Sequence, residues 1–146
     1  MISTIAKAAA AGVFGVLAVA APTVAAPANA ALAYSFEWDN AVSATPNLSN
    51  MSDCISTTGS EVCFQPDGDK IWVKDTSSDG FSAVARWYTD YGRWGTCRNA
   101  LSAGIWGVCN KDFKENQAIY WRASRYDGDT GQYVGPESGL DGSSTS

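Results

Sequence analysis

Four cysteines, Cys54, Cys63, Cys97 and Cys109, stand in a chain without a single histidine, and the compartment in which they fold decides whether they become staples or ligands. The residues before them predict an oxidising destination. Lys7 supplies a positive start, Ala8 to Ala21 an uncharged run of small apolar side chains, and Ala28-Asn29-Ala30 a small-x-small cleavage pattern, the three parts of a secretory signal. Ala31-Leu32-Ala33 fits the same pattern, so cleavage is expected after Ala30 or Ala33. A spanning helix needs about 20 predominantly apolar residues, whereas Pro22 and Pro27 break this weakly hydrophobic, alanine-rich run. The expected product is secreted and extracellular, with no membrane association once residues 1–30 are removed.

An even number of cysteines in an exported chain reads as disulfides. Of the three possible connectivities, Cys54 with Cys63 and Cys97 with Cys109 is preferred, because each pair closes a short loop between adjacent strands. Each bridge contributes about 3 kcal/mol by restricting the unfolded chain. A four-thiolate zinc site is the competing arrangement, but the spacing contains no C-x-x-C pair. No metal or cofactor is expected. The net charge is −5 and falls further when Lys7 leaves, which disfavours nucleic acid and anionic membranes as partners.

Residues 31–146 are enough for one domain with a modest core. Tyr34, Phe36 and Trp38 alternate with polar residues, as in a short half-buried strand or N-terminal arm, and Ala41 to Asp53 has the Ser, Asn, Thr and Pro content of a linker. Residues 31–53 are therefore read as an N-terminal arm or linker. Asn47-Leu48-Ser49 and Asn50-Met51-Ser52 match the glycosylation acceptor pattern there, a match that Asn- and Ser-rich loops also make by chance.

Residues 54–134 carry the punctuation of an all-β domain. Val62 to Gln65 and Lys70 to Lys74 flank the turn Pro66-Asp67-Gly68-Asp69. Phe81 to Tyr88 follows a second turn. Trp94-Gly95-Thr96-Cys97 and Trp106-Gly107-Val108-Cys109 echo one another and are expected to form the two arms of one hairpin, with their cysteines brought together. Ala118 to Tyr126 is the longest strand, with Ile119, Trp121 and Ala123 facing the core. Gln132 to Val134 is the last strand expected, and the Gly-, Ser- and Asp-rich residues 135–146 are expected to be disordered. The predicted fold is a small antiparallel β-sandwich-like domain stapled by two disulfides, and a monomer.

The succession V-C-F-Q-x-x-G-D-K-I-W-V-K-D from Val62, S-D-G-x-S-A-V from Ser78, G-x-C-R-N from Gly95 and V-C-N-K-D-F-K-E from Val108 resembles small secreted, hypothetical proteins of actinobacteria with two disulfides. The resemblance runs from about Cys54 to Tyr133. It implies a disulfide-bonded extracellular β domain, and its motifs are cysteine and turn positions, so it carries no activity with it. Asn116 departs from the pattern, standing where the glycine of an E-G turn is expected.

The missing histidine removes the Ser-His and Cys-His relays and most transition-metal sites. Paired carboxylates are the remaining route to a hydrolase: Asp67 with Asp69, Asp75 with Asp79, Asp112 with Glu115, and Asp127 with Asp129. Each pair lies in or beside a turn, where aspartate is common for backbone reasons. The loop from Asp127 starts like a calcium loop but lacks the glycine and the bidentate glutamate of an EF-hand. Six tryptophans and six tyrosines give a better lead. If Ile71 and Val73 face the core, Trp72 faces away, as do Arg86, Tyr88, Tyr120 and Arg122 on their strands. Were these strands neighbours, Trp72, Tyr88 and Tyr120 would form an outward patch edged by Arg86 and Arg122, suited to a polysaccharide or an extracellular protein. Cross-strand pairing that merely stabilises the sheet is the plainer account of the same residues. The reading is a non-enzymatic binding domain. A protease inhibitor presenting Arg98 to Ser102 within the Cys97–Cys109 loop is the alternative, and a small hydrolase the third.

Overall fold

A computed structural model of the chain describes residues 34–146, and the expected signal and its cleavage sites lie outside the described residues. The strands are β1 (Glu37–Asn40), β2 (Val42–Ser43), β3 (Cys54–Thr57), β4 (Ser60–Gln65), β5 (Lys70–Asp75), β6 (Ser82–Thr89), β7 (Trp94–Asn99), β8 (Trp106–Asn110), β9 (Ala118–Asp127), β10 (Gln132–Val134) and β11 (Asp141–Ser144). One sheet runs β1-β7-β6-β9-β10, with β11 also on β9, and the other runs β2-β8-β5-β4-β3. The domain is all-β, with two packed sheets. Every pairing is antiparallel except β1 on β7.

Local chemistry accounts for the turns. Between β4 and β5, Gly68 (φ 80°) and Asp69 (φ 51°) both occupy the left-handed region, which glycine adopts freely and aspartate tolerates. Asn116 does the same at φ 56°, so asparagine performs the turn for which the resemblance suggested glycine.

Alternation sets the core. Ile119, Trp121 and Ala123 on β9 are buried, as are Ala83, Ala85 and Trp87 on β6 and Val62, Phe64, Ile71 and Val73 of the second sheet. Ala85 stands opposite Ala123, and Trp87 opposite Trp121. The small pair leaves depth for large partners: the Phe64 ring centre lies 5.5 Å from that of Trp121, and Phe113 lies 5.1 Å from Trp87. Burying each tryptophan contributes several kcal/mol against leaving it in water, on the order of 25 cal/mol per Å².

Both preferred disulfides are present, but they do different jobs. Cys54 and Cys63 face one another across β3 and β4. Cys97 and Cys109, with Cα atoms 6.0 Å apart, join β7 of one sheet to β8 of the other. The W-G-x-C echo is therefore not a hairpin. Residues 100–105 cross between sheets, and the buried Asn99 fixes the crossing by donating from Nδ2 to Val73 O at 2.7 Å and Ile105 O at 2.8 Å. Each copy of the echo receives a strand of the N-terminal arm: β1 pairs with β7, and β2 with β8. The shared glycine permits this approach, since a Cβ on Gly95 would stand 2.9 Å from Glu37 Cβ and one on Gly107 would stand 2.7 Å from Ala41 Cβ.

Two boundaries differ from expectation. Within 34–53 the chain is an arm rather than a bare linker, because β1 enters one sheet and β2 the other. Residues 135–146 are ordered: β11 pairs with the start of β9, and buried Thr145 donates from Oγ1 to Lys114 O at 2.6 Å. Backbone pairing, the Ser138 and Thr145 hydroxyls and the Glu137 carboxylate hold this tail in place of apolar burial, so composition did not reveal it. The closed disulfides indicate folding in an oxidising environment. Among the described residues no helix is long and apolar enough to cross a membrane.

Candidate functional site

The outward face of the β1-β7-β6-β9-β10 sheet carries side chains in registered rows. Trp94, Tyr88 and Tyr120 form one row, and Trp38, Thr96, Arg86 and Arg122 the next. Tyr88 and Tyr120 stack with ring centres 5.1 Å apart. Phe36 and Trp38, brought by the arm, close one side. Their rings continue a chain in which Trp94 meets Phe36 (4.9 Å), Phe36 meets Trp38 (6.2 Å), Trp38 meets Tyr126 (4.8 Å) and Tyr126 meets Tyr133 (5.6 Å). The result is a groove of about 630 Å³. Its aromatics remain accessible, Trp94 at 48% and Phe36 at 43% of full exposure.

The polar end is built from the C-terminal segment. Tyr133 shares a 2.7 Å hydrogen bond with Thr96 Oγ1, and the Arg86 guanidinium lies 4.4 Å over its ring. Glu137 accepts from Arg86 Nη1 through one carboxylate oxygen and from Arg122 Nη1 at 3.1 Å through the other. Burial alone would raise the Glu137 pKa; the hydrogen bonds and charges of Arg86 and Arg122 outweigh it and hold the carboxyl below its ordinary range.

The arm is held by a second ionic cluster. Glu37 accepts from Arg93 Nη2 at 3.0 Å and from Lys111 Nζ at 2.7 Å, while Asp39 also meets Lys111. The Lys111 ammonium lies 4.8 Å from the Trp87 ring centre, a cation–π contact on the buried side of the arm. Burial pushes the Glu37 pKa up, and Arg93 and Lys111 pull it below the usual value.

The structure brings together four of the five residues expected in the binding patch: Arg86, Tyr88, Tyr120 and Arg122 share this face. Trp72 does not. It does point away from the core, but β5 lies in the other sheet, and Trp72 is 5% exposed with its ring N–H donated to Gln65 Oε1 at 3.1 Å. Phe36, Trp38, Trp94, Tyr126, Tyr133 and Glu137 were missed. Only the alternation of Phe36 and Trp38 hinted at them, since no sequence period tells which strands become neighbours.

Several of the other candidate residues have structural duties. Arg98 donates from Nε to Ser82 Oγ at 3.0 Å and lies over Tyr126, while Asn99 Oδ1 accepts from Leu101 N at 2.9 Å, so this loop is tied to the body. Asp75 Oδ1 accepts from Ser77 N, Asp79 Oδ1 from Phe81 N, Asp69 Oδ2 from Phe113 N and Asp127 Oδ1 from Asp129 N, all at 2.7 to 3.0 Å. These carboxylates order turns, and none lines the groove. Among the described residues, no group of three or more acidic or cysteine side chains is placed to hold a metal ion. Comparison of the chain with protein-family models, curated proteins and solved structures gave no match.

Proposed function

We propose that this chain is an exported, non-enzymatic binding module that holds a polysaccharide in its aromatic groove. The observation that carries the reading is the unbroken run of ring contacts from Trp94 to Tyr133 on one exposed sheet face. Scattered surface aromatics are ordinary, whereas a contiguous apolar patch rimmed by polar groups marks an interaction site. The flat C–H face of a pyranose packs on such rings, while guanidinium and hydroxyl groups alongside meet its oxygens. Export follows from the expected signal and agrees with the two disulfides.

The test is retention of the purified protein on a panel of insoluble and immobilised polysaccharides, with Trp94→Ala and Trp38→Ala beside it. Truncating a central aromatic anchor costs about 2 kcal/mol of binding, so each variant should weaken retention roughly thirtyfold with an unchanged circular dichroism spectrum. Equal retention of both variants would remove the groove from the account.

A further inference from the structure

We infer that the groove is specific for anionic glycans: a pyranose stacked on its aromatics places a uronate carboxylate against Arg86 and Arg122. This rests on the proposed binding function and goes further by assigning the ligand's charge. Arg86 and Arg122 stand directly opposite one another in the β6–β9 ladder. Like charges in such a pair are destabilising, so their pairing at this position calls for an explanation. Glu137 supplies half of one. It takes a single N–H from each guanidinium, which leaves two cations facing one anion. Among the described residues no other side-chain acceptor bonds to either guanidinium, and both side chains stay accessible, at 43% and 37%.

The surplus positive charge faces a groove whose lining contains no acidic residue, in a chain of net charge −5. Positive charge is thus concentrated where the aromatics are, against the trend of the whole molecule. A carboxylate suits it well, because each planar guanidinium can offer further N–H groups to two oxygens at once. Glu137 already marks the position such a group takes, so it competes with the ligand for the same donors.

The experiment measures binding to polygalacturonate, alginate and hyaluronan, to the same three polymers after reduction of their carboxyl groups to neutral alcohols, and to polyglutamate. At least one native polymer should bind, carboxyl reduction should weaken it about tenfold or more, and raising salt from about 50 to about 500 mM should weaken it further. Glu137→Gln, which keeps the shape and removes the competing charge, should tighten binding severalfold, and Arg122→Gln should weaken it. Thermal unfolding of both variants reports whether they fold. Binding of a neutral glycan that is indifferent to carboxyl reduction would overturn the charge assignment and leave the binding function standing. Equal binding of polyglutamate would overturn the sugar and point to an acidic protein segment. Failure of all three native polymers would overturn the inference, and failure of the neutral panel as well would overturn the function on which it rests.

Discussion

Cys97 on β7 and Cys109 on β8 belong to opposite sheets and are bonded across the core, directly beneath the point where the N-terminal arm passes from β1 to β2. One covalent link therefore joins the two halves of the sandwich through the same two strands that receive the arm. Both sulfurs' residues are buried, whereas Cys54 of the other bridge is exposed. Graded reduction followed by alkylation and mass spectrometry should label Cys54 and Cys63 first. Replacing Cys97 and Cys109 by alanine should cost about 2–5 kcal/mol in urea unfolding, more than the same change at Cys54 and Cys63.

Acid should release the ionic hold on the arm. Glu37 is bonded to Arg93 and Lys111 and its folded pKa is depressed, so its contribution is complete above the ordinary glutamate pKa and is lost as pH falls through the lower folded value. Glu37→Gln should therefore destabilise the protein at about pH 7, with the difference from the parent shrinking as pH falls below the ordinary glutamate range. Ligand binding should weaken in the same variant, because Phe36 and Trp38 depend on β1 for their position. Asp75 has the opposite sign: burial raises its pKa, and Asp79 adds to the rise. Its ionised form costs stability at neutral pH, a cost relieved as pH falls through the raised folded value. Asp75→Asn, which keeps the acceptor for Ser77 N, should stabilise the fold at pH 7.

The alanine layer between the sheets should resist filling. Ala85 and Ala123 are opposite one another and fully buried, so Ala85→Val should cost about 1–3 kcal/mol by overpacking. Trp121→Ala, which opens a cavity beside Phe64, should cost about 3–5 kcal/mol. Equilibrium unfolding of both variants checks the pair.

The strands were legible because alternation sorts side chains into two faces: Ile119, Trp121 and Ala123 lie inward as their spacing requires, and Arg86, Tyr88, Tyr120 and Arg122 lie outward. Alternation says nothing about which sheet a strand joins. That is why Trp72, correctly turned from the core, was placed with the wrong neighbours, and why two matching W-G-x-C segments looked like one hairpin. The tail was illegible for a different reason, since Asp141 to Ser144 pair through backbone atoms that every residue possesses. The groove's aromatics come from β1 and the residue before it, β6, β7, β9 and β10, and become one surface only through topology.

Export should leave a defined N-terminus. Mass spectrometry of protein recovered from the culture medium should find Ala31 or Tyr34 as the first residue, either of which retains Phe36 and Trp38 for the groove. Retention of the full chain within the cell would contradict the expected secretion.

The central claim is that ligand sits on the aromatic face of the β1-β7-β6-β9-β10 sheet. Tryptophan indole N–H resonances report it most directly, because the six rings are spread over both sheets and the core. Titration with a retained glycan should shift the Trp38 and Trp94 signals and leave Trp72 and Trp106, on the other sheet, in place. Shifts confined to Trp72 and Trp106 would contradict the account.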